Sequence, residues 1–68
     1  MTTFVLSQHS LFWTIHRLSE DSTEPLGHVT TEADALLLIR QMAETTLPSQ
    51  ILKIAMNGDT QMIAIVEE

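Results

Sequence analysis

The chain of 68 residues predicts an α+β fold: a ββαββ order in which a four-stranded antiparallel sheet carries one helix packed on one face. Three observations predict it. Only one long segment, Thr30 to Leu47, has a helical period. Short alternating or apolar runs flank it on both sides, as strands do. Asn57-Gly58-Asp59 near the C-terminus is the strongest turn signal in the chain.

The first strand is expected over Thr2 to Ser7, with Phe4 and Leu6 on one side and Val5 on the other. Gln8-His9-Ser10 is polar and can turn. A second strand is expected over Leu11 to Ser19, where Leu11, Trp13, Ile15 and Arg17 alternate with Phe12, Thr14, His16 and Leu18. Ser19 to Val29 reads as an acidic loop, because Glu20, Asp21 and Glu24 charge it and Pro25 and Gly27 punctuate it.

The helix follows. At 100° per residue, Ala35, Leu36, Leu38, Ile39, Met42, Ala43 and Leu47 share one side, while Asp34, Gln41, Glu44 and Thr45 lie opposite. Thr31 is the expected N-cap, and Glu32 and Asp34 place negative charge in the first turn, where the helix dipole favours it. Pro48 ends the helix by disfavouring helical geometry at Leu47, with fraying expected around Thr45 and Thr46. Leu37 breaks the pattern: it falls in the polar side, between Gln41 and Glu44. Arg40 lies at the edge and is within reach of Glu44 across one turn. Gln50 to Met56 and Thr60 to Glu67 complete the sheet as a hairpin. Two turn lengths suit Asn-Gly, so either Ile63 and Ile65, or Met62, Ala64 and Val66, face the helix.

Size and composition bound the rest. The chain makes one domain, residues 1–68, and a domain this small buries only about 60% of its unfolded surface. There is no cysteine, hence no disulfide framework and no thiolate metal site. No apolar run approaches a membrane span and no secretory signal opens the chain; the expectation is a cytoplasmic protein that engages no membrane. Nine carboxylates face three scattered cations, Arg17, Arg40 and Lys53, for a formal charge of −6. Direct binding to a phosphate backbone needs clustered Lys and Arg, so direct nucleic-acid binding is not expected. A basic protein partner fits better. One helix covers one sheet face, yet both faces read as apolar; homodimerisation through the open face or an edge strand resolves the excess.

Trp13-Thr14-Ile15-His16-Arg17, the helix opening Thr31-Glu32-Ala33, the strand Ile51-Leu52-Lys53-Ile54 and Asn57-Gly58-Asp59 together resemble a family of small uncharacterised bacterial and phage domains. That family shares the layout, a W-x-[IV]-x-R strand, a T-x-E-A helix start and a final D-G hairpin; here Gly-Asp stands in place of Asp-Gly. The resemblance implies the fold and carries over no catalytic residues. In size and acidity the chain is also similar to small phage inhibitors, including anti-CRISPR proteins, which in a phage setting implies the cytoplasm of a bacterial host.

Catalytic chemistry finds little support. His9, His16 and His28 lack H-x-H or H-x-x-x-H spacing. Asn57-Gly58-Asp59 lacks the further oxygens and closing Glu of a calcium loop. Serines 7, 10, 19, 22 and 49 stand in no nucleophile motif. The paired carboxylates lie in the acidic loop and at Glu67-Glu68, where solvent leaves them unactivated. Trp13, with Phe12 and Arg17, can form a base-stacking platform, but Trp13 reads as core, and Met42, Met56 and Met62 read as core filler or, alternatively, as an adaptable contact surface. The expectation is a non-enzymatic acidic interaction module without metal or cofactor, an inhibitor of a basic nucleic-acid-handling protein. The alternative is a structural homodimeric module or a small subunit. The partner-binding residues expected are Glu20, Asp21 and Glu24 of the loop and Asp34, Leu37, Gln41 and Glu44 of the helix.

Overall fold

The computed structural model describes residues 1–67. Glu68, half of the C-terminal carboxylate pair, lies outside the described residues. The elements are β1 (Thr2–Gln8), β2 (Trp13–Leu18), β3 (Thr23–Val29), α1 (Glu32–Glu44), β4 (Ser49–Ile54) and β5 (Thr60–Val66). They form one five-stranded sheet of order β3-β2-β1-β4-β5. α1 lies across one face.

The expected four-stranded antiparallel sheet is therefore corrected on two counts, while the α+β class and the ββαββ succession remain, with one more strand ahead of the helix. The acidic segment read as a loop contains β3, an edge strand antiparallel to β2. Pro25 and Gly27 suggested a loop because both weaken a strand. They are accommodated because β3 has a free edge and a bulge: Ile15 pairs Gly27, His16 pairs Pro25, and Leu26 is the extra residue. Gly27 has φ +151°, which L side chains rarely adopt.

The second correction follows from the first. A strand after a crossover helix runs in the same direction as the strand before it. Had the helix followed β2, β4 would run antiparallel to β1. It follows β3, which is antiparallel to β2 and so parallel to β1. β4 accordingly pairs with β1 in parallel, Phe4 against Ile51 and Leu6 against Lys53.

The helix face of the sheet and α1 enclose the core. Phe4, Leu6, Trp13, Ile15 and Ile51 meet Ala35, Ile39 and Ala43. The 35-39-43 spacing is one helix stripe, and its two alanines let the helix sit close. Trp13 is core, as expected. Leu38, placed on the apolar side by the period, is half-exposed, and Met56 and Met62 are exposed rather than core filler. Thr31 caps α1 as predicted, its hydroxyl accepting from the Asp34 amide at 3.2 Å. At the other end Thr45 Oγ1 donates to the Met42 carbonyl at 2.9 Å, and the helix stops three residues short of Leu47.

The last hairpin closes at Asn57-Gly58-Asp59, where Gly58 has φ +94°. The Asn57 side chain accepts from the Asp59 amide at 3.0 Å. A bulge lies opposite Ile51 and Leu52, so Ala64 pairs Ile51 and Met62 pairs Leu52. It splits the apolar run of β5 between the two faces. Ile63, Ala64 and Val66 pack against the core, while Met62 and Ile65 are exposed. Neither regular register expected from the sequence describes this strand.

Candidate functional site

Strand alternation and the sheet register divide the charged groups unequally. Arg17, on the helix side of β2, donates to Glu24 of β3 at 2.7 Å. Lys53, on the helix side of β4, donates to Glu32 of α1 at 3.0 Å and stands 5.5 Å from the Trp13 ring centroid. Arg17, Glu24 and Lys53 are all the charged residues within the strands, and all three lie on the side of the helix.

The acidic surface builds on that side. Asp34, Leu37, Gln41 and Glu44 are all exposed along the outer side of α1, with Leu37 at 61%. No ion pair among the described residues engages Asp34, Glu44, Glu20 or Asp21, and the expected Arg40–Glu44 pair does not form. Glu20 and Asp21 sit in the tight β2–β3 turn, which Ser19 closes by amide and hydroxyl contacts to Ser22. A cleft of about 370 Å³ brings Glu20 and Glu24 together with Thr46, just beyond the helix end. The turn acids and Glu44 therefore share one end of the molecule. Asp34 stands at the opposite end of the helix, and Glu24 is occupied by Arg17.

The opposite face is open. Its rows, read across β2-β1-β4-β5, are Leu18-Thr3-Gln50-Ile65, His16-Val5-Leu52-Met62 and Thr14-Ser7-Ile54-Thr60. No strand residue there is Asp, Glu, Lys or Arg. Gln50 donates to Thr3 Oγ1 at 2.9 Å, satisfying polar atoms within the face. Leu18, Met62 and Ile65 belong to this face, whereas Ala64 and Val66 face the helix.

At the β2–β3 end of this face His9 and His28 both meet Phe12, and His16 lines the groove beside it, which sequence spacing did not reveal. His9 Nε2 lies 3.0 Å from Thr14 Oγ1. Phe12 stacks on His9 with ring centroids 4.7 Å apart and meets the edge of His28 at 6.1 Å. Beside them is an apolar groove of about 460 Å³ lined by Phe12, Thr14, His16, Pro25, Gly27 and His28. Small residues at Thr14 and Gly27 make the floor low, and Phe12 makes the rim. Phe12 and Trp13 point to opposite faces, so no joint stacking platform exists. Among the described residues no group of three His, Asp or Glu is arranged to hold a metal ion, and no helix is long and apolar enough to cross a membrane.

No family model, no curated protein and no solved structure matches the chain.

Proposed function

We propose that this protein is a non-enzymatic interaction module whose acidic helix-and-turn surface binds a basic protein and blocks it, a nucleic-acid-handling protein being the partner class that the charge suits. One observation carries the reading: Leu37, an exposed leucine, stands between Gln41 and Glu44 on a helix side whose carboxylates, Asp34 and Glu44, form no ion pair among the described residues. Unpaired acids steer encounter with a basic surface, and an apolar anchor sets residence time. Support comes also from the charge of −6 and from the separation of the acids from the open sheet face.

The test is capture from nuclease-treated bacterial lysate with the tagged chain, followed by titration of the captured protein. Glu20→Gln, Asp21→Asn and Glu44→Gln combined should slow association at least tenfold, and Leu37→Asp should speed dissociation by a similar factor. Unchanged binding in both variants overturns the reading.

A further inference from the structure

The open sheet face calls for a different occupant from the acidic surface, and its charge identifies one. We infer that this face docks on the same face of a second copy, about a two-fold axis running along β1. The inference is independent of the acidic-surface reading.

Self-association of a chain with charge −6 requires a face that carries none of that charge. This face meets the condition, since none of its strand residues is Asp, Glu, Lys or Arg. The helix acids stand across the sheet, while Glu20, Asp21, Asp59 and Glu67 lie at the sheet's ends, outside the strand rows: with about 10 Å between packed layers, a face-to-face dimer puts its two helices about 30 Å apart. That is more than three Debye lengths at physiological salt, about 8 Å each, so the helix acids of the two copies are screened from one another.

Area agrees. Five strands about 4.8 Å apart and about 20 Å long present about 500 Å² in projection, hence about 1,000 Å² over two copies. That reaches the size a specific interface needs. The exposed Met62 and Ile65, at 47% and 56%, are what it would cover.

Shape sets the register. β1 is the middle strand, so a two-fold along it lays the β2–β3 half of one copy over the β4–β5 half of the other. The first half is hollow, with the groove beside His16 and His28. The second half is raised by Leu52, Met62 and Ile65. Each groove receives the partner copy's Met62 side of the sheet, and the contact is made twice, as an isologous interface requires.

The experiment is sedimentation equilibrium of the full chain up to about 200 μM, with circular dichroism confirming the fold of each variant. Wild type should be a dimer. Met62→Glu and His16→Lys, both on accessible positions of the face, should each weaken it at least tenfold. The double variant should recover most of the loss, because the new Glu on β5 and the new Lys on β2 of the other copy, one strand apart across the two-fold, are within side-chain reach of one another. Leu37→Asp, on the helix side, should leave the dimer unchanged. A wild-type monomer at 200 μM overturns the proposal and assigns the face to another occupant. Folded single variants that still dimerise overturn it as well, and single variants that dissociate without recovery in the double overturn the register.

Discussion

Ser49 is the buried polar residue of the core, and its environment decides what losing it costs. Its hydroxyl donates to the Ala43 carbonyl at 3.1 Å, tying the start of β4 to the end of α1. That carbonyl also accepts from the Thr46 amide at 3.2 Å, so removing the hydroxyl leaves no orphaned acceptor. Ser49→Ala should therefore cost only the net worth of one hydrogen bond, about 1 kcal/mol, rather than the larger penalty of an unsatisfied group. In a domain of this size that lowers Tm by about 4–8 °C, measurable by thermal denaturation. A fall several times larger would show that the serine holds the helix end in place by more than this bond.

At the scale of elements, α1 supplies the cover of the core and does so through a narrow stripe. Ile39 is its one large side chain that is fully buried, between Ala35 and Ala43. Ile39→Ala should destabilise by about 3 kcal/mol, since the surrounding strands cannot collapse into the space. Leu37→Ala, two positions along the same helix, should change stability by no more than about 0.5 kcal/mol. Urea denaturation of the pair checks both, and equal losses would contradict the assignment of Leu37 to the free side.

At the scale of the molecule, the segregation of charge makes two associations respond oppositely to salt. Raising NaCl from 50 to 500 mM shortens the Debye length from about 14 to about 4 Å. Binding of a basic partner to Glu20, Asp21 and Glu44 should weaken by an order of magnitude or more. The self-dimer should hold or tighten, because screening removes the residual repulsion between two copies of charge −6 and apolar contacts do not depend on it. Partner titration and sedimentation at both salt concentrations check this, and a dimer that dissolves in salt would place charges in its interface.

The sequence by itself determined the local features of this protein. The helix and its Thr31 cap, the Asn57-Gly58-Asp59 turn and the exposure of Leu37 all depend on neighbours within a turn or two, and local periodicity records such neighbours. Tertiary structure decided the rest. β3 exists because β2 offers an edge that tolerates Pro25, Gly27 and a bulge, which no local preference of Thr23–Val29 indicates. That one strand reverses the polarity of everything after it, and the parallel β1–β4 pair follows. The β5 bulge divides Met62 and Ile65 from Ala64 and Val66 through pairing with β4, and the meeting of His9 and His28 at Phe12, with His16 in the groove beside it, depends on cross-strand register. Contacts between residues far apart in the chain leave no period in it, because each strand senses its partner only after the sheet has formed.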